Sequence, residues 1–186
     1  MTNASSLERR LRADMTGDVL FDGFSRGRYA TDASFYQIVP AGVVVPKTMD
    51  EALRALAIAR DEGLKVTPRG GGTSQCGQTV NDGLVVDLSK HLNRILSLDV
   101  ANRTCVVEPG IVLDDLNRQL KKHGLWFPVD VSTASRSPSA SMSRNSAKPL
   151  SLAFIGARSR GTSPKCNSVP SARAASSERV LSRMVP

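Results

Sequence analysis

Aromatic residues are scarce in this chain of 186 amino acids, with one tryptophan, two tyrosines and five phenylalanines making up 4% of it. Beyond Arg136 only Phe154 is aromatic, which denies that stretch the stacking platforms a single-stranded nucleic acid needs. Cysteine is scarce as well. Cys76, Cys105 and Cys166 are odd in number and lack metal-ligand spacing, so neither a disulfide framework nor a zinc site is supported, and a reducing compartment is the expected setting. The two histidines, His91 and His123, fall at or near the ends of predicted elements, where a solvated or capping role outranks catalysis. No apolar run approaches a membrane span, and the charged residues 1–15 contain no apolar leader core. The expectation is a soluble, cytoplasmic protein, with any membrane association made through a partner.

Net charge is missing from most of the chain. Residues 1–136 carry 17 Lys and Arg against 16 Asp and Glu, a net of +1, whereas residues 137–186 carry 8 against 1, a net of +7. The overall +8 therefore belongs to the tail, and the body makes no electrostatic case for nucleic acid. Of the last 50 residues 13 are serine and six arginine, with no sustained period. Such a composition cannot bury enough apolar surface to offset its ordering entropy, so 137–186 reads as a disordered tail. A basic interaction arm is the alternative role for it.

What the chain does have is a glycine cluster, Pro68-Arg69-Gly70-Gly71-Gly72-Thr73-Ser74, following the short apolar stretch 63–67. Without Cβ atoms such a loop can take positive φ and bring successive N–H groups onto one oxyanion. Arg69 adds a planar fork of donors suited to phosphate, and Thr73 and Ser74 add hydroxyls. The plainer alternative is a flexible surface turn. A P-loop requires Gly-Lys-Ser/Thr opening a helix, and a dinucleotide fingerprint requires G-x-G-x-x-G at a strand-to-helix junction; neither is present.

Around this loop the pattern predicts a short helix over 6–13 with Leu7 and Leu11 on one face, then a wrapping loop over 16–36. Extended segments at 38–40 and 43–46 precede a helix whose capping box is Thr48 to Glu51, whose apolar positions are Leu53, Leu56, Ala57 and Ala59, and whose end is Gly63. Strands are expected at 83–88, 95–98 and 104–108, the last two joined by a turn over 99–103, and a helix over 112–123 ends at Gly124. With no repeating β-α-β unit visible, small sheets flanked by helices in an α+β fold are preferred to a doubly wound sheet. Trp126 and Phe127 are expected to plug the core, and Asp130, Ser132 and Thr133 form a polar cluster that on composition alone is a structural turn.

In order and spacing, several of these stretches resemble the N-terminal half of an FAD-binding domain of the p-cresol methylhydroxylase/vanillyl-alcohol oxidase type. Within it they are most similar to the D-lactate dehydrogenase (cytochrome) and glycolate oxidase flavin-subunit group. The residues concerned are 29–36 (YATDASFY), 43–46 (VVVP), 68–74 with Gly77-Gln78, 85–89 (VVDLS), 107–110 (VEPG) and 128–136 (PVDVSTASR). The resemblance implies FAD as cofactor and a small 2-hydroxy acid as the family's substrate. It implies that the pyrophosphate is held by Arg69, Gly70, Gly71, Gly72, Thr73 and Ser74, and that Pro68, Gly77 and Gln78 also belong to the cofactor-binding set. It further implies that Val45 and Pro46 flank the adenine end, that Gly110 admits close backbone approach to the cofactor, and that Asp130, Ser132 and Thr133 line the pyrophosphate and flavin side.

After Arg136 the family pattern continues with two glycine-bearing stretches, and here stands Ser137-Pro138-Ser139-Ala140-Ser141-Met142-Ser143-Arg144-Asn145-Ser146, which has none. The expected organisation is therefore an N-terminal helix and wrapping loop over 1–37, a partial FAD-binding domain over 38–136, and a tail over 137–186 with the composition of an out-of-frame product. A genuine short paralogue with a disordered tail is the alternative to that origin. The function expected is FAD-dependent oxidation of a 2-hydroxy acid, truncated here and inactive alone, with no catalytic residue or metal assigned. A non-catalytic nucleotide- or anion-binding module with a basic tail is the alternative.

Overall fold

The computed structural model describes residues 3–127, Ser135 and 150–153. Three consecutive valines make the central strand β2 (Gly42–Val45), and all four of its residues are buried because the sheet is covered on both faces. It pairs antiparallel with β1 (Asp18–Leu20) and parallel with β4 (Leu84–Asp87), which in turn pairs parallel with β3 (Val66–Arg69). The order is β1-β2-β4-β3, so β3 lies at the edge, where Pro68, having no N–H to give, does not break a ladder.

Between β2 and β3 runs α3 (Met49–Asp61). Thr48 caps it as expected, its hydroxyl accepting from the Glu51 N–H, and it ends in a Schellman turn with Gly63 at φ 66 and Leu64 N–H donating to Ala59 O. Its buried face consists of Ala52, Ala55, Ile58 and Ala59, with Leu53 half exposed and Ala57 exposed. Of the apolar positions expected at helical spacing, Leu53, Leu56, Ala57 and Ala59, only Ala59 lies on this buried face. Small alanines let the helix lie close on the sheet and on α1 (Asn3–Asp14), whose Leu7 and Leu11 are fully buried. Arg10 of α1 pairs with Glu62 at 2.6 Å and Asp61 at 3.3 Å.

The carboxylate of Glu51 joins three elements. Oε1 accepts from Thr16 N at 2.9 Å and Thr16 Oγ1 at 2.6 Å, and Oε2 accepts from Lys47 N at 2.8 Å. Burial by itself raises this carboxyl, but those donors outweigh it and hold Glu51 down at about 2. Segment 16–36, expected as loop, contains β1 and the short helix α2 (Gly23–Arg28), which Asp22 caps through Ser25 N. A three-residue strand and a six-residue helix leave too short a period to be read from sequence.

A second sheet is antiparallel, in the order β5-β6-β7. β5 (Ile95–Asp99) and β6 (Thr104–Val107) form the expected hairpin, its turn fixed by Asp99 accepting from Asn102 N and Nδ2. The helix α4 (Leu113–Leu120) covers the cluster of Cys105, Val107, Ile111 and Leu125 with Leu116 and Leu120. Burial of such a leucine contributes roughly 1.5–3 kcal/mol. Burial also pushes the Cys105 thiol up to about 11. Phe127 packs against this cluster, but Trp126 is 39% exposed and does not plug the core as expected. β7 (Leu150–Ala153) is a backbone strand on β6 within the stretch expected to be a tail; the rest of 137–186 lies outside the described residues.

Candidate cofactor-binding site

Parallel strands gather their carboxyl ends on one edge of a sheet, which is where ligands sit in open sheets with such pairing. Here the register Val44↔Val86 and Arg69↔Asp87 brings together the ends of β2, β4 and β3. Val45 and Pro46 leave β2 buried, Pro68 and Arg69 end β3, and Asp87 to Ser89 leave β4. Most of the residues singled out from the sequence thus converge on this edge. The exception is the cluster of Asp130, Ser132 and Thr133, which lies outside the described residues.

The length of the glycine-rich loop has a topological cause. Adjacent parallel strands β3 and β4 need a long connection to return the chain to the starting end, and residues 70–83 do this without a helix. The loop is nonetheless anchored at several points. Ser74 Oγ accepts from Gln78 N at 3.2 Å and donates to Gln78 Oε1, while Asn81 bonds Thr67 Oγ1 and the Gly83 N–H. Gly72 and Gly77 take φ 65 and 74, the left-handed region that favours glycine. A Cβ on Gly72 would stand 2.4 Å from Arg69 Nη2, and one on Gly77 would stand 2.6 Å from Tyr36 Cδ2. No acceptor among the described residues takes the N–H groups of Gly71 or Gly72. These donors, with a guanidinium directly beneath them, suit a phosphate.

Arg69 is turned toward the protein's own carbonyls. Nη2 donates to Thr31 O at 2.7 Å and Nη1 to Thr79 O at 3.3 Å, and the guanidinium stands 5.8 Å from the Tyr29 ring centroid. Its charge lies under the loop while part of its fork is already engaged. Tyr29 donates to Asp87 Oδ2 at 2.6 Å; burial, then this bond, raises its phenol above the ordinary range. Asp87 Oδ1 accepts from Ser89 N and Oγ, which fixes the turn out of β4. Tyr29, Thr31 and Thr79 carry no local signal for these roles, since their bonds span 58, 38 and 10 residues.

Gly110 is packed tightly in the fold itself. Its close approach is to protein backbone: a Cβ there would stand 2.1 Å from Leu88 O and 2.6 Å from Leu92 O, and its N–H donates to Leu92 O. It borders a polar cleft of about 300 Å³ lined by Ser89, Asn93, Val112, Asp115 and Arg118. Nearby, Glu108 is buried and accepts from Arg94 N, Nε and Nη2; burial raises its carboxyl, and the Arg94 bonds more than reverse that.

Residues 40–146 match the FAD binding domain family, more than half of the chain, and the chain belongs to that family, whose cofactor is FAD. Among individual proteins it is 41% identical over 133 residues to D-2-hydroxyglutarate dehydrogenase of Pseudomonas putida, covering 70% of this chain and 13% of that protein. It is 38% identical over 123 residues to glycolate oxidase subunit GlcD of Bacillus subtilis, covering 64% of this chain and 26% of that protein. This chain thus spans between 13% and 26% of the length of these two relatives. Among solved structures, alkyldihydroxyacetonephosphate synthase superposes with a TM-score of 0.66 at 21% identity, over 73% of this chain and 30% of that one. p-Cresol methylhydroxylase superposes with a TM-score of 0.52 at 16% identity, over 63% of this chain and 24% of that one. The family and fold expected from the motifs are borne out. Among the described residues no helix is long and apolar enough to cross a membrane.

Proposed function

We propose that this chain is the cofactor-loop portion of an FAD-dependent oxidoreductase of the 2-hydroxy acid dehydrogenase/oxidase type. The pyrophosphate is held by the N–H groups of the 70–74 loop, over the charge of Arg69. The observation that carries this reading is the register that sets the start of the glycine loop beside the ends of β2 and β4, inside the family match. Val45 and Pro46 form a rigid buried wall of the same edge. Asp130, Ser132 and Thr133 supply a second cofactor loop in this reading. FAD, when bound, supplies the acceptor for a hydride equivalent; the described residues bind and orient it. The names of the relatives favour a small D-2-hydroxy acid as substrate class.

Alone, the chain binds FAD and does not turn over substrate, since hydride transfer needs a substrate carbon and a proton acceptor both held against the flavin. No residue of this chain is assigned either task. Titration of the purified chain with FAD is expected to quench flavin fluorescence saturably. The bound flavin is expected to stay oxidised in anaerobic D-lactate, glycolate or D-2-hydroxyglutarate. Absence of saturable quenching would refute the cofactor reading, and substrate-dependent bleaching would refute the incompleteness.

A further inference from the structure

Segment 29–37 precedes the family match, which begins at residue 40, yet it holds the glycine loop at four places. Arg69 Nη2 donates to Thr31 O, and Ala33 N donates to Gly72 O at 3.1 Å. Thr79 Oγ1 donates to Asp32 Oδ2 at 2.9 Å, and the Tyr36 ring occupies the space that a side chain at position 77 would need. The segment is itself braced. Asp32 Oδ1 accepts from Ser34 N at 2.9 Å and Ser34 Oγ at 2.5 Å, Ile38 N donates to Ala30 O, Thr31 bridges Gln37, and Tyr29 is tied to Asp87.

We propose that segment 29–37 is a strap that sets the glycine loop in its anion-receiving form before any cofactor arrives, with Asp32, Thr79 and Arg69 as positioning residues. A loop of 14 residues carrying Gly70, Gly71, Gly72 and Gly77 loses much backbone freedom when it is ordered. If the free chain already holds it, the cofactor does not bear that cost on binding, which is the general route by which preorganisation raises affinity. The strap fixes both limbs, Gly72 on the outgoing side and Thr79 on the returning side. Arg69 spans them, bonding Thr79 O on the loop and Thr31 O on the strap. Its primary task is thus to lock the loop and only secondarily to face the phosphate.

This inference rests on the cofactor reading for its consequence, but its first readout does not need FAD. Amide hydrogen exchange in the full 186-residue chain without FAD would be compared for wild type, Thr79→Val, Thr79→Ser and Asp32→Asn. Thr79→Val removes the hydroxyl with little change of shape. It is expected to speed exchange at Ala33, Gln78 and Val80 by roughly tenfold, leave the β4 amides unchanged and weaken FAD by a similar factor. Thr79→Ser restores both, and Asp32→Asn reproduces part of the loss. Unchanged exchange at Ala33 and Val80 in Thr79→Val overturns the strap. Faster exchange with unaltered FAD affinity overturns its bearing on the cofactor. Should wild type bind no FAD at all, the cofactor reading fails while the exchange result still decides whether the strap holds the loop.

Discussion

Replacing Gly110 by alanine is expected to destabilise the chain by about 3 kcal/mol, a large fraction of the stability of a domain this size. The added Cβ would meet Leu88 O at 2.1 Å and Leu92 O at 2.6 Å, and both are backbone atoms that no rotamer change can move aside. Relief requires separating the β4 exit from the segment after β6, and that strains the 2.6 Å bond from Gly110 N to Leu92 O. Gly27→Ala is the control, since a Cβ there meets nothing within 4 Å and a helical alanine gains up to about 1 kcal/mol. Urea unfolding of the two variants should separate their midpoints in opposite directions from wild type. A Gly110→Ala chain that unfolds like wild type but has lost FAD would contradict this packing role and favour the cofactor approach that the family pattern implies.

Glu51→Gln is expected to cost about 3 kcal/mol at neutral pH. An amide has one acceptor oxygen where the carboxylate uses two, so either the Thr16 donors or the Lys47 N–H would face an NH₂ group. The folded carboxyl at about 2 lies below its ordinary 4.5, so its contribution is fully present above about pH 4.5 and is lost as pH falls toward 2. The gap in stability between wild type and Glu51→Gln should therefore be constant from pH 7 to 5 and close between pH 4.5 and 2. A gap that persists undiminished at pH 2 would show that Glu51 acts by shape rather than charge.

What could be read from the sequence was local or joint. The caps at Thr48, Gly63 and Gly124, the 99–103 turn and the leucines at 113, 116 and 120 follow from short-range rules, and each is present in the structure. The family followed from the order of several motifs together. The packed face of α3 is not legible from its larger side chains, because Leu53 and Leu56 lie off the stripe that alanines fill so that α1 and the sheet can approach. Hydrophobicity alone does not place Trp126, which stays partly exposed while Leu125 beside it takes the buried position. The contacts that set the glycine loop were illegible because Tyr29 to Asp87, Thr31 to Arg69 and Asp32 to Thr79 are pairings made only by the folded sheet.

In the proposed function the N–H groups of the glycine loop receive a phosphate of FAD. The most direct measurement is a ¹⁵N–¹H spectrum of the chain titrated with FAD and, separately, with ADP. The amides of Gly71, Gly72 and Ser74 should shift progressively with both ligands and remain unmoved by riboflavin, which has no phosphate. Shifts confined to the amides of Ser89, Asn93 and Asp115 around the polar cleft, with the glycine loop unmoved, would rule out the glycine loop as the phosphate site.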